Sequence, residues 1–135
     1  KHTLIELDGL DITVYSDGKW LAFILNQLLD NSIKYAKEEN LALHIWAEEE
    51  NERVLLHVKD NGIGVKAEEM TRVFDKGFTR TNGRRHKKSS GIGLYLCKKL
   101  CGRLGHDILF SAKEGEGSEV TIVFPKTGYT EEVRR

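Results

Sequence analysis

The chain has 135 residues, of which 39% are hydrophobic, and its 21 basic and 21 acidic side chains give a formal net charge of zero. This length and apolar content are typical of one folded domain with its own core, and they exclude a disordered chain. No apolar run reaches the roughly 18 residues that a membrane-spanning helix needs. Because the chain begins at Lys1 rather than at a methionine, we expect it to be a piece of a longer protein.

The first segment is predicted to form a β-hairpin followed by a long helix. Residues 4–7 and 12–15 have strand-forming sequences, and the Asp8-Gly9 pair between them is typical of a hairpin turn. Either residue of the Ser16-Asp17 pair can cap a helix from about Lys19 to Lys37, because apolar residues recur there at helical spacing.

A row of polar side chains follows one face of this helix. Gln27, Asn31, Lys34 and Tyr35 are spaced so that they share a face. One interpretation is a solvated stripe. The other is a binding site, in which the Asn31 side-chain oxygen is a suitable ligand for Mg²⁺ and Lys34 brings a positive charge to a phosphate.

Two alternating segments predict a pair of antiparallel strands. They cover residues 41–47 and 54–58 and are joined by the acidic turn at residues 48–52. The second strand ends in the sequence Asp60-Asn61-Gly62-Ile63-Gly64, in which the glycines permit a tight turn and a close approach of a ligand to the backbone. The Asp60 carboxylate could accept a hydrogen bond from the exocyclic amine of adenine, or it could simply be a turn aspartate.

A short helix at residues 67–73, a long loop at residues 74–90 and a second long helix at residues 91–104 follow. The loop contains a run of basic residues and no acid from residue 76 to residue 88, which favours a small polyanion over a long nucleic acid. The Gly91-Ile92-Gly93 sequence opens the second helix. It could hold a phosphate at the helix N-terminus, or it could be an ordinary loop end.

The last segments complete a mixed α/β pattern. Strands at residues 108–110 and 120–124 surround a Gly115-Glu116-Gly117 turn, and residues 126–135 form a polar tail. We therefore predict a single α+β domain, with a core from about residue 3 to residue 125. It is a two-layer sandwich of a mixed, mostly antiparallel sheet of about six strands with helices on one face. Cys97 and Cys101 are expected to be reduced thiols, since their spacing on one helix suits neither a disulfide nor a zinc site.

Five sequence motifs, in this order, resemble the catalytic and ATP-binding domain of sensor histidine kinases. That domain belongs to a superfamily which includes the ATPase domains of DNA gyrase, Hsp90 and MutL. The matching segments are residues 26–35 (Asn-Gln-Leu-Leu-Asp-Asn-Ser-Ile-Lys-Tyr), 60–64 (Asp-Asn-Gly-Ile-Gly), 73–79 (Val-Phe-Asp-Lys-Gly-Phe-Thr), 91–96 (Gly-Ile-Gly-Leu-Tyr-Leu) and 115–118 (Gly-Glu-Gly-Ser). The sequences of the first and third motifs are most similar to those of the intramembrane-sensing kinases of Gram-positive bacteria, the type that confers resistance to bacitracin and antimicrobial peptides.

The resemblance implies a set of ligands and site residues. Its cofactors are ATP and Mg²⁺, with Asn31 as the metal ligand, Asp60 on the adenine amine, and Lys34 with loop cations on the phosphates. The catalytic residues would be Gln27, Asn31 and Lys34. The nucleotide-binding residues would be Asn31, Lys34, Tyr35, Asp60, Gly62, Ile63, Gly64, Lys76, Gly77, Arg80, Gly91, Ile92, Gly93, Leu94 and Thr121.

The resemblance also implies partners. The domain would transfer the γ-phosphate of ATP to a histidine on the dimerisation and phosphoacceptor domain of its own homodimeric kinase. The second partner of that kinase would be a cognate response regulator. Both that domain and the membrane anchor would lie outside this chain, which would be a cytoplasmic part of a membrane-anchored bacterial kinase. No nucleic-acid partner is implied.

Three residues depart from the family pattern. Gln27 stands where gyrase-like relatives have a glutamate that activates water, and a neutral amide cannot accept a proton; this favours transfer to histidine over hydrolysis. Tyr95 replaces a glycine of the fourth motif and is expected to point away from the phosphates. Arg80 follows Thr79 where many relatives have an arginine one position earlier. Two alternatives remain: an ATP-gated ATPase of the gyrase type, and a degenerate, non-catalytic nucleotide-binding module.

Overall fold

A computed structural model describes residues 2–37, 40–82 and 91–125. Residues 83–90 of the predicted basic loop and the predicted tail, at residues 126–135, lie outside these ranges. The elements in chain order are β1 (His2–Asp8), α1 (Gly18–Lys34), β2 (Asn40–Glu50), β3 (Arg53–Asp60), a 3-10 helix (Ala67–Arg72), α2 (Gly93–Leu104), β4 (Asp107–Lys113) and β5 (Gly117–Pro125).

The five strands form one sheet in the order β1-β2-β3-β5-β4. β1 is parallel to β2, and every other neighbouring pair is antiparallel. The buried core joins residues of α1 and α2 to alternate residues of β3, β4 and β5. Both helices therefore cover the same face, and the predicted two-layer α+β sandwich is confirmed.

The predicted hairpin at the start of the chain is wrong. β1 pairs with β2, and residues 12–15 form no strand. Parallel strands need a long crossover connection, which α1 provides here. Ile12 and Val14 alternate with polar residues as in a strand. In the structure, both side chains are partly buried and pack against the core from a segment that is not a strand.

The helix ends follow local sequence signals. Asp17 is the N-cap of α1, and its carboxylate accepts a hydrogen bond from the Trp20 backbone N–H at 3.0 Å. α1 ends at Lys34, three residues earlier than predicted, and Tyr35 is its C-cap. α2 ends at Gly105, which adopts the left-handed conformation (φ 79°) common at helix ends. Within the described residues, no helix has the length and apolar character to cross a membrane.

Both cysteines lie in the core as free thiols, as predicted. They face the sheet from α2 and are fully buried. Burial raises the pKa of Cys97 to about 12 and that of Cys101 to about 11. Thiolate is the reactive form of cysteine, so these residues contribute packing rather than chemistry.

The sheet face without helices, here called the outer face, contains a stack of rings. The Trp46 ring lies 4.3 Å from the His44 ring and 4.5 Å from the His57 ring, measured between centroids. His57 is buried between two acids: its Nε2 is 2.7 Å from Glu48 Oε2, and its Nδ1 is 2.9 Å from Glu119 Oε2. This face is thus built from cross-strand pairs rather than from helix contacts.

Candidate functional site

The polar row of α1, the segment after the 3-10 helix and the start of α2 enclose one cavity of about 100 Å³. This arrangement brings together residues from three of the five sequence motifs. The lining residues are Gln27, Asp30, Asn31, Lys34, Tyr35, Val73, Phe78, Arg80, Gly91, Gly93 and Leu94.

The polar row of α1 is only partly open to solvent. Gln27, Asn31 and Lys34 are half-buried, and Tyr35 is buried. The row lies beside the apolar stripe through Ile24, which packs into the core, so the same helix serves the core and the cavity. The interpretation as a solvated stripe is therefore wrong. Asn31 and Lys34 instead present an amide and a cation to an enclosed space.

Asp60 lies at the end of β3 and is 6% exposed. Its Oδ1 accepts hydrogen bonds from the backbone N–H groups of Gly62 at 2.8 Å and Ser118 at 3.2 Å. Its Oδ2 accepts hydrogen bonds from the hydroxyls of Ser32 at 2.9 Å and Ser118 at 3.0 Å. A buried carboxylate is stable only with such partners. This network fixes the carboxylate in one orientation and is more than an ordinary turn aspartate requires.

Ser32 and Ser118 are functional candidates that the sequence interpretation missed. Ser32 follows Asn31 on α1, and its bond to Asp60 links the polar row to the end of β3. Ser118 enters β5 opposite Asp60 in the strand register. In the sequence, the position of Ser118 directly after the Gly115-Glu116-Gly117 turn could have indicated its role.

Thr121, which the resemblance placed among the nucleotide-binding residues, lies on the other face of the sheet from the cavity. Alternate residues of a strand point to opposite faces of a sheet. Val120 and Ile122 pack in the core beneath the helices, so Thr121 points to the outer face. There its hydroxyl lies 3.0 Å from His57 Nδ1.

The turn after Asp60 is held by backbone contacts. The Ile63 N–H donates to the Tyr35 carbonyl at 3.0 Å, and the Ile63 carbonyl accepts from the Gly115 N–H at 2.7 Å. Gly64 has φ 69°, and a side chain there would collide with the Lys113 backbone. The glycine is needed for this close packing, which differs from the predicted reason, the approach of a ligand.

The start of α2 is tied to the 73–79 motif. The Gly77 N–H donates to the Gly91 carbonyl at 3.0 Å, and Gly91 has φ 72° with the Gly77 backbone packed against its α-carbon. Across the cavity, a side chain on Gly93 would meet Gln27 Oε1 at 2.7 Å, so Gln27 lies against the first turn of α2. Ile92 is the N-cap residue of α2. Helix N-termini in general favour anions.

Arg80 is buried, with 5% of its surface exposed. Its guanidinium carbon lies 4.0 Å from the Tyr35 ring centroid, and its Nη1 donates to the Gly64 carbonyl at 3.2 Å. Its Nη2 is buried with no hydrogen-bond partner in the described part of the chain. Burial lowers the pKa of the Arg80 guanidinium, and the Asp60 charge opposes that shift.

The loop that carries Arg80 is anchored on both sides. The Thr81 hydroxyl donates to Glu69 Oε2 at 2.8 Å, and the Asn82 amide donates to the Ile63 carbonyl at 3.2 Å. Glu69 is 7% exposed and lies in the 3-10 helix. Its role was missed because an acid in a short, charged helix gives no signal of burial in the sequence.

Of the other predicted site residues, Lys76 and Gly77 are exposed and, like Ile92, do not line the cavity. Lys76 Nζ lies 5.7 Å from the Tyr95 ring centroid. Tyr95 does not line the cavity either. Lys99 of α2 also lies near this ring, with its Nζ 5.7 Å from the Tyr95 ring centroid.

Comparison with known proteins gives a family match over most of the chain. The family described as histidine kinase-, DNA gyrase B- and HSP90-like ATPase matches residues 16–128. The sensor histidine kinase YxdK of Bacillus subtilis (strain 168) is 40% identical over 116 residues, which cover 84% of this chain and 35% of YxdK. The sensor protein kinase GraS of Staphylococcus aureus (strain JH1) is 38% identical over 116 residues, covering 86% of this chain and 33% of GraS. The chain thus spans about a third of the length of these relatives.

Solved structures share the fold. The mycobacterial sensor histidine kinase MprB superposes with a TM-score of 0.80 at 22% identity, covering 91% of this chain and 83% of that one. The catalytic domain of the histidine kinase ThkA, in a nucleotide-free form, superposes with a TM-score of 0.76 at 25% identity, covering 93% and 81%.

Proposed function

The chain belongs to the family of histidine kinase-, DNA gyrase B- and HSP90-like ATPases, and we propose that it is the Mg²⁺–ATP-binding catalytic domain of a sensor histidine kinase. In this role it presents the γ-phosphate of ATP to a histidine elsewhere in the longer protein. The observation that carries the proposal is the hydrogen bond between Ser32 and Asp60. It connects a buried carboxylate suited to a base with the polar row suited to phosphate and metal.

Asp60 supports recognition of an adenine amine. An ionised carboxylate offers about four lone-pair sites, and four donors of this chain point to the Asp60 oxygens. Two of these donors are hydroxyls, of Ser32 and Ser118, which can rotate. An entering amine replaces one hydroxyl hydrogen bond, while the two backbone N–H groups keep the carboxylate in place.

The cavity, whose lining does not include Asp60, supports binding of a triphosphate. Lys34 brings a positive charge, and Gly91 and Gly93 place the N-terminus of α2 at the cavity wall. The half-buried Asn31 carboxamide fits Mg²⁺, which takes few protein ligands and keeps phosphate oxygens and water as the others. When bound, the ion neutralises phosphate charge, and the residues of this chain position the nucleotide.

Gln27 supports phosphotransfer over hydrolysis. It lies against the first turn of α2, beside the proposed phosphate position, and it is a neutral amide. A neutral amide cannot take a proton from water, whereas a neutral imidazole attacks phosphorus without a base.

The acceptor histidine is proposed to lie outside this chain. Among the described residues, His44 and His57 lie on the outer face of the sheet, and His106 is buried beside Phe124. None of these three histidines lines the cavity. The partners proposed are the dimerisation and phosphoacceptor domain of the same kinase and a response regulator, with a membrane anchor elsewhere in the longer protein.

Two measurements on the isolated domain test this function. Calorimetry should show ATP binding that depends on Mg²⁺, and labelled ATP should leave neither acid-labile label on the protein nor steady phosphate release. Absence of ATP binding would refute the function. Strong acid-labile labelling would place an acceptor in this chain, and steady phosphate release would favour the gyrase-type ATPase.

A further inference from the structure

The Arg80 guanidinium fills a place that a planar ligand group suits. It is stacked on Tyr35 at 4.0 Å and hydrogen-bonded to the Gly64 carbonyl. It is also close enough to Asp60 for the carboxylate charge to act on it. Its contacts are thus a ring face and a backbone acceptor, and a carboxylate charge acts on it from nearby. An aminated purine can use the same three groups.

The turn at residues 60–64 contacts Tyr35, Asp60 and Arg80. The Tyr35 backbone carbonyl accepts from the Ile63 N–H, and the Asp60 carboxylate accepts from the Gly62 N–H. Arg80 Nη1 donates to the Gly64 carbonyl of the same turn while its guanidinium covers the Tyr35 ring. A base that is held by Asp60 and stacks on Tyr35 would therefore compete with the guanidinium for that ring.

The guanidinium is held there incompletely. The Glu69–Thr81 hydrogen bond fixes the loop, but Nη2 is buried with no partner in the described ranges. A buried donor without an acceptor is costly, and so is a buried charge that is not fully paired. The closed arrangement is therefore one that a ligand with better hydrogen bonding can replace.

We propose that Arg80 competes with the base for the Tyr35 ring and must leave this ring before a nucleotide binds. This inference rests on the proposed function, because it assumes that Asp60 receives the base. It makes Arg80 a residue that weakens binding of the base, in contrast to a cation that only attracts phosphate.

Adenosine is the decisive probe, because it has the base without phosphates. Arg80→Ala should bind adenosine about fivefold to thirtyfold more tightly than the unaltered chain, since one stacked cation and one hydrogen bond no longer have to be displaced. Arg80→Lys should give a smaller gain, because lysine keeps the charge but lacks the planar group. Affinities are measured by calorimetry, with ATP as the second ligand and thermal unfolding as the check on folding.

A second variant removes the anchor and keeps the arginine. Thr81→Val deletes the hydroxyl that binds Glu69, so the loop opens more readily and adenosine affinity should rise even though Arg80 is present. This variant also covers the case in which Arg80→Ala does not fold.

The outcomes separate this inference from the function itself. Unchanged or weaker adenosine binding by folded Arg80→Ala, in a chain that binds ATP, overturns the inference and leaves the function standing. A loss of ATP affinity with no change for adenosine also overturns it, because Arg80 would then act only on phosphates. If no variant binds ATP or adenosine, the proposed function fails and the inference fails with it.

Discussion

Replacing Asp60 by asparagine separates recognition of the base from stability of the fold. The asparagine Oδ1 can keep both backbone hydrogen bonds, from Gly62 and Ser118. Its amide replaces Oδ2, and the hydroxyls of Ser32 and Ser118 can rotate to accept hydrogen bonds from it. The fold should therefore survive with a loss of about 1–2 kcal/mol, close to the value of one or two neutral hydrogen bonds.

Nucleotide binding should suffer more. A hydrogen bond to a charged group contributes about 1.5–3 kcal/mol. Asp60→Asn removes that charge and directs an amide donor towards the amine of the base. With about 1.4 kcal/mol for each factor of ten in affinity, ATP should bind about ten to a hundred times more weakly.

Calorimetry with Mg²⁺–ATP measures the affinity, and urea unfolding followed by circular dichroism measures the stability. Ser32→Ala is the matched control, because it removes one hydrogen bond to Asp60 and keeps the carboxylate. It should lower stability by a similar amount and affinity by much less. Equal ATP affinity for Asp60→Asn and the unaltered chain would refute the assignment of Asp60 to the base.

Three further predictions use other parts of the structure. Thr121→Val should cost about 1 kcal/mol of stability and leave ATP affinity unchanged in calorimetry; weaker ATP binding by this variant would contradict the position of Thr121 on the outer face. Cys97 and Cys101, with pKa values raised to about 12 and about 11, should resist a thiol reagent at pH 8 until the chain unfolds in urea, and rapid labelling of the native chain would disagree with their burial. Burial lowers the pKa of His106 from its ordinary value of 6.5, so the unfolded chain binds the proton at higher pH than the folded chain does. The free energy of unfolding should therefore fall as pH drops below about 6.5 towards the lower folded pKa, and His106→Gln should flatten this pH dependence in urea titrations; an equal slope in both chains would argue against the shift.

The motifs predicted much of the site because each reports local geometry. Residues on one helix face must lie together, so Asn31 and Lys34 could be placed beside each other from spacing alone. Asp60 could be placed at a strand end because it follows an alternating strand segment and precedes the Asn61-Gly62 turn.

Features that depend on distant partners could not be predicted in this way. The hairpin was wrong because short alternating segments do not say whether a strand pairs with its neighbour in sequence or across a helix. Thr121 was assigned to the nucleotide by the resemblance alone, and the alternation of β5 turns its side chain to the outer face. The stacking of Arg80 on Tyr35 depends on the Glu69–Thr81 anchor, which no spacing rule indicates.

The hydrogen bond from Gly77 to Gly91 has a consequence for how the domain tolerates change. It ties the backbone of the 73–79 motif to the first residue of the 91–96 motif, and it depends on no side chain. Side-chain changes elsewhere in these two motifs should therefore leave the contact in place. A side chain at Gly91, in contrast, would collide with the Gly77 backbone and break it.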